Sequence, residues 1–139
     1  MRFHSFSEIS TKLQKSKLMP VIRLFLIILI LVITYLSLTP RVGVELGNDK
    51  LGHFLAYGSL CFWTLLSYYK RTFSNSPTLI LLVVIYGFLM ELGQLFVPGR
   101  TFSWLDLLAN TLGAVLGFIL FRILRKWVLK VLKKTGIIS

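Results

Sequence analysis

Four long apolar stretches, separated by short polar ones, dominate the pattern of this chain. They cover residues 21–39, 51–69, 78–97 and 104–121. Crossing about 30 Å of hydrocarbon at about 1.5 Å rise per residue takes about 20 residues. All four stretches are near that length. A backbone in lipid has no water to bond to, so each is predicted to be a helix that satisfies its own hydrogen bonds. Pro20, Pro40, Pro77 and Pro98 fall at the ends of these stretches, where proline disturbs a helix least. The first stretch exceeds the about 7–15 residues of a signal-peptide core and no small-residue cleavage site follows it, so it is read as a retained span. The expected fold is all-α: a basic segment 1–20, a four-helix transmembrane domain 21–121 and a basic tail 122–139.

Composition supports the membrane. The chain is 55% hydrophobic and 15% charged, against about 25% charged residues in soluble domains. It carries 16 Lys+Arg and 5 Asp+Glu, a net charge of +11. Because the basic residues lie between apolar runs, anionic lipid headgroups are the expected partner rather than nucleic acid. The positive-inside rule then sets the orientation. Arg2, Lys12, Lys15, Lys17 and Arg23 precede or open the first span, Lys70 and Arg71 follow the second, and Arg122, Arg125, Lys126, Lys130, Lys133 and Lys134 follow the fourth. Only Arg41, Lys50 and Arg100 fall on the other side. Both ends are therefore expected in the cytoplasm. In the tail, Leu124, Trp127, Val128, Val131 and Leu132 recur at helical spacing among basic residues. That predicts an amphipathic helix on the cytoplasmic leaflet or an extension of span four. Cys61, single and within an apolar run, is read as packed and inert.

Ionisable groups within a membrane are costly and mark candidate sites. Asp49, His53 and Tyr57 follow one another at steps of four and share one face of span two. Lys50 stands beside them. Glu91 and Gln94 lie three apart near the outer end of span three, with Gly87 on the same stripe. Asp106, Asn110, Gly113 and Gly117 form a stripe along span four. All these polar residues fall in the outer half, which predicts one outward-facing pocket between spans two, three and four. Arg100, in the loop between Glu91 and Asp106, is expected to close over it as the counter-charge. Structural roles compete. Ser103-Trp104-Leu105-Asp106 fits a capping box, Asn48 or Asp49 suits an N-cap, and Asn110 with Gly113 and Gly117 suits close helix packing. Glu91 is too deep to be an interfacial anchor and does not sit at a cap position. No metal or cofactor motif is recognised, so none is expected.

Three blocks carry a family resemblance. They are Asp49-Lys50-Leu51-Gly52-His53-Phe54-Leu55-Ala56-Tyr57, then Glu91-Leu92-Gly93-Gln94, then Pro98-Gly99-Arg100 followed by Asp106, Asn110, Gly113 and Gly117. Between about Thr39 and Gly117 the chain resembles the VanZ-like family of small bacterial membrane proteins. The family takes its name from a protein associated with teicoplanin resistance. The resemblance implies a multi-pass protein of the bacterial plasma membrane with an envelope role. Three functions are compatible. The favoured one is a non-enzymatic protein whose pocket, formed by Asp49, Lys50, His53, Tyr57, Glu91, Gln94, Arg100, Asp106 and Asn110, binds or modulates a lipid, a lipid-linked wall intermediate or a lipophilic glycopeptide. The alternative is an intramembrane enzyme with His53, Glu91 and Asp106 as acid/base groups. A small transporter subunit ranks third, because no inverted repeat is visible. A homo-oligomer is compatible with each.

Overall fold

The computed structural model describes residues 18–40, 49–68 and 72–134, with the side chains at 72–75, 128–129 and 132–133 excepted. Asn48, most of the basic residues assigned to the cytoplasm before span one and after span two, and the Val128, Leu132 and Lys133 positions of the tail pattern lie outside the described residues. Among the described residues there are four helices: α1 Leu18–Leu38, α2 Asp49–Ser67, α3 Thr72–Gln94 and α4 Trp104–Lys134. There is no strand among the described residues.

Three of these helices are long and apolar enough to cross a membrane: α1, the Ser76–Gln94 part of α3 and the Trp104–Trp127 part of α4. The second expected span coincides with α2, but Asp49, Lys50 and His53 in its first five residues leave it less apolar than the others. Outward faces of the long helices are oily: Leu24, Ile27, Leu31, Leu81, Leu108 and Leu112 are all more than half exposed. Such a surface is stable only against hydrocarbon, which marks a membrane protein.

With lipid outside, the helices associate through packing and hydrogen bonds rather than through hydrophobic burial. The closest pair is α2 with α4. Gly58 lies against the Gly113 carbonyl, and a Cβ on Gly113 would meet the Gly58 nitrogen at 3.1 Å and the Phe54 carbonyl carbon at 3.0 Å. A Cβ on Gly117 would come within 3.0 Å of the Gly58 carbonyl carbon and 3.2 Å of Cys61 Cβ. The glycine stripe is thus a seam between backbones, and Cys61, 1% exposed, is packed within it. Phe62 of α2 meets Phe121 of α4 edge-on at 6.0 Å below the seam.

Helix α1 closes one side with Met19, Ile22, Leu26, Ile33 and Ser37 turned inward. It is clamped to α3 by Thr34 Oγ1 and Tyr86 Oη, 2.8 Å apart. The Tyr86 hydroxyl also donates to the Ile30 carbonyl at 3.2 Å. Two boundaries differ from expectation. Pro77 lies inside α3, which starts five residues earlier at Thr72. Pro20 is in the first turn of α1, where its missing N–H has no intrahelical use. The tail is not a separate helix: α4 runs unbroken for 31 residues, about 46 Å, because no glycine or proline interrupts Phe118–Lys134.

Candidate functional site

The polar ends of α3 and α4 are set by the connection between them. After Gln94 the chain tightens, with Leu95, Phe96 and Val97 donating back three residues. Val97-Pro98-Gly99-Arg100 then forms a β-turn, closed by Arg100 N–H to the Val97 carbonyl at 3.1 Å. Gly99 has φ 75°, so this is a type II turn with proline and glycine at their preferred positions. Four residues on, Ser103 caps α4: the Asp106 N–H donates to Ser103 Oγ at 3.2 Å. In a capping box the third residue's carboxylate would return to the cap's own N–H. Here that N–H donates to Glu91 Oε2 of α3 at 3.2 Å. Glu91 thus supplies from another helix the contact expected of Asp106, and Asp106 is left turned into the bundle, 8% exposed.

His53 is the hub. Its Nδ1 lies 3.0 Å from Asn110 Oδ1 and 3.8 Å from Glu91 Oε1. Its Nε2 lies 3.8 Å from Asp49 Oδ1, one turn earlier on α2. One imidazole therefore bridges three helices. Tyr57 continues the α2 face, its ring parallel to His53 at 6.5 Å and 6.0 Å from Tyr86.

Burial around this hub is deep: Glu91 is 0%, Asn110 and Tyr57 1%, and Gln94 2% exposed. Yet Tyr57 Oη, Glu91 Oε1, Gln94 Nε2, Asp106 Oδ1 and Asn110 Nδ2 have no hydrogen-bond partner among the described residues. Buried polar atoms are normally satisfied, so five such atoms from three helices describe a chamber with polar capacity to spare. Beside it opens a cavity of about 340 Å³ whose wall includes Ile33, Leu36 and Ala56 as well as Asp49, His53, Tyr57 and Arg100.

Most of the residues expected at the pocket thus meet in one place: Asp49, His53, Tyr57, Glu91, Asp106 and Asn110, with Gln94 buried nearby. Two behave differently. Lys50 is exposed and belongs to neither chamber nor cavity wall. Arg100 lines the cavity but does not sit over Glu91 as a counter-charge. Its guanidinium donates to the carbonyls of Thr39 (Nε, 3.1 Å) and Leu36, because the last carbonyls of α1 have no intrahelical donor. The C-terminal part of α1, with Ile33, Leu36, Ser37, Thr39 and Pro40, is a cavity wall that polar patterning did not indicate. The only sequence signal for it is the Ser37-Leu38-Thr39-Pro40 break after a run of branched residues. Asp49, His53 and Asp106 have carboxylate and imidazole atoms all within 4.8 Å of one another, close enough to hold a metal ion. No linear motif reveals this, because Asp106 comes from a different helix.

Comparison with known proteins gives the chain a family. The VanZ/LLP1 family model matches residues 2–125, well beyond the Thr39–Gly117 stretch marked by the three blocks and including α1. The chain is also 33% identical over 98 residues to the uncharacterized protein C11E3.10 of Schizosaccharomyces pombe. That alignment covers 68% of this chain and 58% of the yeast protein, so the chain spans little more than half of its relative, and the likeness is not confined to bacteria. No solved structure matches. With a family match over nearly its whole length, and with the His53–Glu91–Asn110 hub built from the blocks that carry the resemblance, the chain belongs to the VanZ/LLP1 family.

Proposed function

We propose that this is a four-span membrane protein with both ends in the cytoplasm, whose outward-facing chamber binds the polar headgroup of an envelope amphiphile. The observation that carries the reading is the set of five buried, partnerless polar atoms on α2, α3 and α4 beside a cavity walled by aliphatic residues of α1. A polar chamber with an apolar flank matches a headgroup with its acyl chain. In this reading α2 also crosses the membrane: α3 and α4 cover the face that carries His53 and Tyr57, and exposed Lys50, in the first turn, reaches the interface. A membrane lipid is preferred to a wall intermediate or a lipophilic glycopeptide, since the likeness extends to a fungal protein.

The test is native mass spectrometry of the protein extracted in mild detergent, comparing wild type with Gly52→Leu. Gly52 lines the cavity and has open space where a Cβ would project, so leucine fills the mouth without disturbing the seam. Wild type should retain an amphiphile that Gly52→Leu loses at unchanged thermal stability. An empty wild type, or equal retention by both, overturns the reading. The enzymatic alternative draws on the His53–Glu91 approach of 3.8 Å. It would be favoured by Glu91-dependent turnover of a lipid headgroup in vesicles.

A further inference from the structure

We infer that Asp49, His53 and Asp106 bind one divalent transition-metal ion of the zinc class. This does not rest on the amphiphile reading, since the ion's ligands are all supplied by the chain itself. Asp49 and His53 are one helical turn apart on α2, a spacing that directs both side chains to one point. Asp106 joins them from the first turn of α4, and the ligand-capable atoms of the three lie within 4.8 Å of one another. Such ions bind imidazole nitrogen and carboxylate oxygen at about 2.0–2.2 Å, so modest side-chain rotation completes the site.

The imidazole is set up for this role. Two oxygens, Asn110 Oδ1 at 3.0 Å and Glu91 Oε1 at 3.8 Å, face Nδ1. An Nδ1–H donating to either oxygen leaves the Nε2 lone pair toward Asp49. A histidine whose far nitrogen donates to an amide or carboxylate is the usual outer-sphere support of a metal ligand. Glu91 stands behind the imidazole, on its Nδ1 side. It lies outside the ligand set, is 0% exposed and has Oε1 without a hydrogen bond beside the imidazole. Asp106 Oδ1 is likewise buried and without a partner. Two carboxylates, Asp49 at the helix end and the buried Asp106, face the imidazole, and a divalent cation offsets their charge. Three protein ligands leave a further coordination position, and Asp49 and His53 also line the cavity.

The experiment uses full-length protein in detergent, stripped with a chelator and then titrated with Zn²⁺ and Co²⁺ in a His4→Ala background, which removes the one other imidazole. The expected result is one ion per chain, visible Co²⁺ bands that Zn²⁺ displaces, and a higher melting temperature with Zn²⁺. Asn110→Leu should weaken binding about 10–100-fold, as outer-sphere changes do, and Asp49→Asn and Asp106→Asn should weaken it more. Circular dichroism verifies folding of each variant. If Asp106→Asn does not fold, Asp49→Asn decides, since that side chain is 25% exposed at the helix end. Absence of Zn²⁺ uptake by the parent, or undiminished uptake by Asp49→Asn, overturns the inference.

Discussion

Glu91 shows how one side chain can serve a site and a scaffold together. One carboxylate oxygen caps α4 through the Ser103 N–H, and the other faces His53. Glu91→Gln keeps an acceptor for Ser103 but removes the ionisable group. The cap bond survives, so a loss of no more than about 1 kcal/mol is expected in thermal or denaturant unfolding. Glu91→Leu strands the Ser103 N–H and should cost about 1–3 kcal/mol beyond that. Arg100 acts elsewhere, on the carbonyls of Leu36 and Thr39. The double change Glu91→Gln with Arg100→Gln should therefore be additive to within about 0.5 kcal/mol, whereas a direct ion pair would give a larger coupling energy in the same cycle. Sequence made the depth of Glu91 legible, and with it the need for a partner. It did not reveal the partner, because a cap supplied from another helix leaves no local pattern. Arg100 was misplaced for a related reason: chain proximity to Glu91 and Asp106 says nothing about the open carbonyls at the end of α1.

Helices α2 and α4 meet where their side chains vanish. The Gly113 and Gly117 stripe was legible as a packing face from its spacing alone, and the neighbours of Gly58 show how close the backbones come. Gly113→Val places carbon atoms where the Phe54 and Gly58 backbones already stand. Overpacking of this kind costs about 1–3 kcal/mol, and cross-linking yield between cysteines introduced on α2 and α4 should fall with it. The α1–α3 clamp is weaker. Tyr86→Phe removes its hydroxyl from Thr34 and Ile30 and should cost about 0.5–1.5 kcal/mol, measured as a lower unfolding midpoint. The length of α4 was less legible, since basic residues from Arg122 onward read as the end of a span. A helix continues through such residues when their long stems can carry the charge to the interface.

For the whole molecule, a reporter active only outside the cytoplasm should give signal when fused at Gly47 and none at Ser139; signal at Ser139 would invert the proposed orientation. The helices among the described residues, and the end of the bundle at which polar groups gather, were readable from hydropathy and from the spacing of those groups. The shape of the cavity was not, because one of its walls is the apolar end of α1, whose residues look like any lipid-facing stretch. The modest hydropathy of α2 has a consequence for biogenesis. Its polar face is covered chiefly by α4, which is synthesised more than thirty residues later. On the proposed four-span reading, Asp49 and His53 lack the neighbours that make them tolerable in a bilayer until α4 emerges, so α2 should enter late and as a client of α4. Chains released after Val97 should then leave α2 accessible to water-soluble cysteine reagents and open to quality-control proteolysis, while the full chain is protected. The helix that brings most of the chemistry would also be the checkpoint on whether the protein has been completed.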